Sequence, residues 1–288
     1  MTTFTLNYYK DQGREPLAFV GPGIVDDKLS LIVMFPDETL ETRLPATFEG
    51  YPVLIKYGDI ELASNPQVYH EILKPGISIG RSEAEDAFTL GAFFQTGEKK
   101  CILTAGHSVG EVCNEIIQPG NYENDPDTSP CAKVTFKFRG INEDGNHLDY
   151  AFCEVNDCLR VSVNKPPGSE TVIHNCKGSV SNDPDDMSYV YKSGRTSYLT
   201  KGIMIDEMVT IHTKLLGKVS RMSILLASDI KGQQLFGRPG DSGSAVFDDD
   251  GNLWGIYCGF SLPYHFVIPI HLILNDARTR YDVDFTLI

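Results

Sequence analysis

Three short segments pair a reactive side chain with small residues or turn formers beside a β-rich run. In CILTAGHS the apolar run Cys101 to Leu103 passes through Thr104, Ala105 and Gly106, which let neighbouring chains approach. It delivers His107 at its end, where an imidazole can take or give a proton near neutral pH. In HLDYAFCEV, Asp149 sits inside an apolar strand pattern and shares one face with Ala151 and Cys153, while Leu148, Tyr150 and Phe152 take the other. A carboxylate so placed needs a partner, because burying it bare costs several kcal/mol. An imidazole N–H suits it, and His147, two residues away on the same face, is the rival for the histidine role. In GRPGDSGSAVF a glycine-flanked turn enters a strand, leaves the Ser242 hydroxyl prominent and can aim the N–H groups of Gly240 and Ser242 at one point, an oxyanion hole in outline. Taken singly, each segment has an ordinary reading: a satisfied histidine, a strand-edge ion pair, a β-turn.

The elements that must position these side chains read as β. Gly and Pro number 26 and 16, and turn signals recur between runs of four to eight β-rich residues. Strands are expected at Tyr51 to Tyr57, Phe88 to Gln95, Lys100 to Thr104, Lys133 to Phe138, Leu148 to Val155, Thr171 to His174, Tyr189 to Tyr191, Ile203 to Thr213, Ser220 to Ala227, Ser244 to Phe247, Leu253 to Cys258 and His265 to Ile268. Only Pro269 to Arg280 reads as a helix, with Leu272, Ile273 and Ala277 on one face. Asn121 to Pro130 reads as an exposed loop, and Asn156 to Ser188 as a link between two β units.

His, then Asp, then Ser over a β-rich chain, in the motifs LTAGH, DYAF and GDSGS, resembles the chymotrypsin-like (trypsin-like) serine peptidase family. The likeness runs over about residues 77 to 275 and is closest to non-secreted fungal and bacterial trypsin-like peptidases. YKSGRTSYLTKGIM resembles the glycine turn opening the second barrel, with Gly194 beside the Gly240 loop. DDDGNLWGIYCG resembles the hairpin after the nucleophile, and FVIPIHLIL the last strand entering a C-terminal helix. An α/β-hydrolase is excluded by the chain order and by Ser244 where its elbow needs glycine.

The resemblance implies an all-β fold of two six-stranded antiparallel barrels, 86–165 carrying His107 and Asp149 and 166–288 carrying Ser242 and the helix, after an N-terminal extension over 1–85. It implies a serine endopeptidase with a His107/Asp149/Ser242 triad and an oxyanion hole at Gly240 and Ser242. It places Phe236 at the base of the substrate pocket, Cys258, Gly259 and Phe260 along one wall, and His265 on the far side. No carboxylate stands at that base, so a preference for Lys or Arg is not supported. The rival from another class is a silent pseudo-peptidase acting as an interaction module. Ser108 stands where many secreted members have a disulfide cysteine, and no basic residue followed by Ile-Val-Gly-Gly precedes the first barrel. Asp241, which secreted relatives hold with a newly cut α-amino group, is therefore expected to find donors inside the folded chain, with residues 1 to 85 packed on the barrels.

Composition narrows the partners. A net charge of −14 repels phosphate backbones and anionic headgroups, so neither nucleic acid nor membrane is expected, and a protein or peptide substrate is. The apolar runs are too short for a bilayer span, and MTTFTLNYYKDQGR has no apolar signal core, from which a cytoplasmic location is expected. Seven cysteines without a CxxC pair, and seven histidines without HExxH, give no metal or cofactor signal. They lead to the expectation of free thiols.

Overall fold

The computed structural model describes residues 19–25, 28–35, 44–57, 65–123, 125–156, 160–178, 187–205, 208–215 and 218–288. The chain divides into two compact units, 1–63 and 64–288. The first contains β1 (Phe19–Val25), β2 (Lys28–Phe35), β3 (Thr47–Phe48) and β4 (Tyr51–Tyr57) in the order β1-β2-β4-β3. Only β4 is legible as a strand in the sequence. Leu31, Val33 and Phe35 alternate onto one buried face of β2 and pack with Phe48, Val53 and Ile55.

In the second unit the first sheet holds β5 (Ser78–Arg81), β6 (Phe88–Thr89), β7 (Ala92–Thr96), β8 (Lys99–Thr104), β9 (Glu115–Gln118), β10 (Ser129–Ile141) and β11 (His147–Val155). Its strand order is β7-β8-β11-β10-β9-β5-β6. β5 lies within the stretch read as N-terminal extension and pairs with β9 here. The run expected as one strand, Phe88 to Gln95, breaks at Leu90 and Gly91. The Gly91 N–H donates to the Leu103 carbonyl, and any Cβ there would overlap that oxygen and the carbonyl of Gly243.

The second sheet holds β12 (Asn175–Cys176), β13 (Met187–Gly194), β14 (Tyr198–Ile205), β15 (Val209–Leu215), β16 (Lys218–Asp229), β17 (Ala245–Asp248), β18 (Asn252–Ser261) and β19 (Tyr264–Pro269). Successive antiparallel pairs β17–β13, β13–β14, β14–β16, β16–β19, β19–β18 and β18–β17 close it into a six-stranded barrel. The expected strand Ile203 to Thr213 is two strands, the tail of β14 and most of β15. Thr171 to His174 is not a strand, since its pairing begins one residue later, where Asn175 and Cys176 meet β18 in parallel.

Helix α1 (Ile270–Tyr281) starts one residue after Pro269, whose fixed φ and missing N–H suit a helix entrance. Arg278 and Arg280 lie in its last turn, where cations meet the negative end of the dipole. β20 (Thr286–Leu287) then adds to the edge of β7. One core joins the barrels and the helix: Leu103, Tyr150 and Phe152 pack with Phe247, Leu253, Ile256, Ile268, Ile273 and Ala277. The architecture is thus the expected double β-barrel with a C-terminal helix.

Candidate active site

β8 ends at Thr104, and His107 follows on the tight turn after it, with its side chain partly open to solvent. β11 presents Asp149 from the strand that pairs with β8, Ala151 opposite Thr104. The Asp149 carboxylate accepts twice from one residue: the His107 backbone N–H reaches Oδ1 at 2.7 Å and ring Nδ1 reaches Oδ2 at 2.8 Å. Because a carboxylate only accepts, Nδ1 carries the proton, and Nε2 of the neutral ring is left as an acceptor. Arg139, opposite Asp149 on β10, brings its Nε to 3.6 Å from Oδ2. The rival, His147, is buried, and its Nε2 has no hydrogen-bond partner among the described residues. Burial pulls its pKa down against the attraction of Asp149, so it stays neutral.

Ser242 comes from the turn before β17, and that turn is fastened to the first barrel. Thr89 donates its N–H to the Ser242 carbonyl at 3.2 Å and its hydroxyl to the Gly240 carbonyl at 2.9 Å. The neighbouring Gly243 has φ of +92° and lies so close to Thr104 Oγ1 and the Ala105 amide that no side chain fits. The nucleophile turn is thereby seated two to three residues upstream of His107. The N–H groups of Asp241, Gly243 and Ser244 donate to carbonyls of Arg238, Tyr257 and Asp241. Among the described residues, those of Gly240 and Ser242 donate to none.

Beneath the turn lies a charged group the sequence reading did not name. Lys192 Nζ stands 3.0 Å from Asp241 Oδ2, both side chains fully buried, and Ser197 Oγ bridges them, 2.7 Å from Nζ and 2.6 Å from Oδ2. The N–H groups of Thr196 and Ser197 donate to Oδ1 at 3.0 and 3.2 Å, and that of Arg238 to Oδ2 at 2.9 Å. Burial alone would raise the Asp241 carboxyl. Lys192, Ser197 and Arg238 outweigh it and hold the carboxyl below its usual range. Asp241 is satisfied by donors inside the chain, as its burial required, and Gly194 lies against it as the glycine-turn motif implied.

The residues that the resemblance assigns to the substrate pocket come together. Phe236 and His265 are fully buried, with ring centres 5.5 Å apart, and Phe236 belongs to the second barrel's core with Tyr257 and Trp254. Cys258 and Gly259 are half-buried, and Phe260 is exposed above the His265 ring, centres 5.8 Å apart. His265 Nε2 donates to Asp229 Oδ1 at 2.9 Å, which also receives the Phe236 N–H at 2.7 Å. The Tyr257 hydroxyl faces Nδ1 at 3.4 Å. Burial lowers the His265 pKa despite Asp229 beside it. A carboxylate does therefore lie near this base, already committed to a histidine and an amide.

No family model matches the sequence, and no curated protein matches it. Solved structures do. Protease A of Thermobifida fusca aligns with a TM-score of 0.51 at 14% identity, over 75% of this chain and 99% of that one. A Nocardiopsis protease aligns with a TM-score of 0.50 at 18% identity, over 74% and 98%. A serine protease specific for glutamic acid aligns with a TM-score of 0.51 at 17% identity, over 75% and 100%. At such identities the likeness is one of architecture, and it agrees with the strand pairing described above: the chain has the two-barrel fold of the chymotrypsin-like serine proteases.

Proposed function

We propose that the chain is a serine endopeptidase acting on protein or peptide substrates, on the strength of one observation above the others: Asp149 fixes both the backbone and the ring of His107 on the barrel face where the Ser242 turn is docked. A histidine serving only as a structural polar group needs one bond. Two from a single carboxylate set ring position and tautomer together, which a general base requires.

Ser242 Oγ attacks the substrate carbonyl carbon while its proton passes to His107 Nε2. The resulting imidazolium is stabilised by Asp149, and the negative charge on the carbonyl oxygen is met by the N–H groups of Gly240 and Ser242. The tetrahedral adduct collapses with the proton going from Nε2 to the leaving amine. Water, activated by the same histidine, then hydrolyses the acyl ester and restores Ser242. One oxyanion donor is typically worth about 3 kcal/mol of barrier, so the shape of the Gly240 turn matters nearly as much as the hydroxyl. The buried Lys192–Asp241 pair holds that shape from below.

A fluorophosphonate probe on the full chain tests the reading. Labelling of the 1–288 protein without prior cleavage, and none in Ser242→Ala, is expected, with peptide hydrolysis in that variant down by roughly 10⁶. Absent labelling of the folded wild-type chain overturns it. Labelling that appears only after a cut between residues 74 and 90 overturns the further claim that the chain works uncut.

A further inference from the structure

We infer that Thr89 is a positioning residue for the oxyanion hole, an inference that rests on the peptidase reading above. Gly240 and Ser242, the two residues whose N–H groups that reading assigns to the hole, are the two of the turn whose carbonyls Thr89 binds. The Thr89 N–H donates to the Ser242 carbonyl at 3.2 Å and its hydroxyl to the Gly240 carbonyl at 2.9 Å. In each residue the N–H and the C=O hang on one Cα with only two soft dihedrals between them, so a carbonyl held in place restricts where the amide can point. One residue of the first barrel thus aims both donors of a hole built by the second.

The hydroxyl has one direction to point. It brings one proton and two lone pairs. The Arg195 N–H donates to Thr89 Oγ1 at 3.2 Å, which leaves the proton for Gly240. Thr89 is fully buried in β6 and stands in register with Ser78 of β5, whose hydroxyl oxygen accepts from Arg195 Nε at 3.1 Å. Branching at Cβ narrows the choice of χ1 rotamer and stiffens the side chain further.

The backbone of Thr89 is tied to the general base. Its carbonyl accepts from the Thr104 hydroxyl at 2.8 Å, and Thr104, fully buried at the end of β8, stands three residues before His107. The joint is tight, because a Cβ at Gly243 would overlap both Thr104 Oγ1 and the Thr89 carbonyl oxygen. Thr104, Thr89 and the Gly240 to Ser242 turn therefore form one hydrogen-bonded line from the strand that delivers the base to the amides that meet the oxyanion. Thr89 is itself withdrawn from solvent, so it acts through the turn and not on the substrate. A misplacement of about 1 Å in a catalytic frame can cost about 10²-fold in rate.

Saturation kinetics of fluorophosphonate labelling on the full chain tests this. The limiting rate kinact reads the step in which Ser242 Oγ bonds to phosphorus, fluoride leaves and the hydroxyl proton passes to His107, while KI reads binding of the probe. Thr89→Val keeps the branched shape and removes the hydroxyl, and kinact is expected to fall about 10²-fold with KI within about threefold. Thr89→Ser returns the hydroxyl and should bring kinact back to within about fivefold of wild type. Thr104→Val should lower kinact about tenfold, and adding it to Thr89→Val should cost less than the product of the two losses, because both act through one joint. Tyr150→Phe loses a buried hydrogen bond away from the turn and should leave kinact within about twofold, which separates positioning from loss of stability.

Circular dichroism reports whether each variant is folded. Should Thr89→Val not fold, Thr104→Val decides, and an unchanged kinact in it overturns the inference. A folded Thr89→Val that labels within about threefold of wild type also overturns it. So does a Thr89→Ser as slow as Thr89→Val, a loss carried by KI, or an equal loss in Tyr150→Phe. Each of these leaves the peptidase reading standing, whereas a folded wild-type chain that does not label removes that reading and this inference with it.

Discussion

Asp149 makes two bonds to His107, and they have separable jobs. Asp149→Asn keeps the bulk and can keep one bond, but its amide donates to Nδ1 and turns the ring to the wrong tautomer. A loss of roughly 10⁴ in turnover is expected, with little loss of stability. Asp144→Asn, on an exposed turn between β10 and β11, should leave activity within twofold in the same assay. Lys192 is the residue whose loss should unfold the site from beneath. Lys192→Met strands a buried carboxylate and should cost about 3–5 kcal/mol in urea unfolding, whereas Lys192→Met with Asp241→Asn should recover part of that loss. The carboxyl of Asp241 sits below its ordinary 3.8, so the unfolded chain takes up its proton first as pH falls. Its stabilisation is complete above about pH 4 and drains away as pH drops through the folded value, and Asp241→Asn should flatten that decline. Lys192 is not legible in the sequence: the strand expected there ends at Tyr191, and Asp241 is expected to find donors inside the chain without a cation among them. Nothing in the spacing says that residues 49 apart meet.

Among the elements, the strands that carry the site are legible because they read as short, nearly continuous apolar runs bounded by turn residues, as in Leu148 to Val155 and Leu253 to Cys258. In the N-terminal unit only β4 is. β1 reads FVGPGIV, whose glycines and proline signal turns, and it pairs as a strand nonetheless. A family likeness places Phe236 by position, but whether a phenyl ring lines a cavity or closes it depends on Tyr257, Asp229 and His265 around it. A polar contact joins helix α1 to β11: the Tyr150 hydroxyl donates to Asp276 Oδ2 at 2.6 Å, and Arg280 holds the other oxygen at 2.9 Å. Tyr150→Phe should cost about 1.5–3 kcal/mol by removing a buried hydrogen bond to a charged acceptor. Probe labelling of the folded variant should persist, since Asp149 keeps its own partners.

Across the whole molecule, cysteine chemistry follows burial. Six of the seven cysteines lie among the described residues and none of these six forms a disulfide, while Cys158 lies outside them. Burial pushes the Cys101 thiol up to about 12 and that of Cys153 higher than its usual range, so neither forms a thiolate near neutral pH. Alkylation of the native protein, read by peptide mass, should reach exposed Cys113 first and Cys101, Cys131 and Cys153 only after unfolding. Among the described residues no helix is long and apolar enough to cross a membrane. The bonds that fasten the site are long in sequence: His107 reaches Asp149 across 42 residues, Tyr150 reaches Asp276 across 126, and Thr89 reaches Gly240 across 151. Contacts of such span close only after large loops have lost their freedom, so they belong to the late, slow part of folding in a β protein. A refolding chain should regain most of its far-ultraviolet signal before it regains any reactive serine, and labelling of Ser242 should serve as a clock for the docking of one barrel on the other.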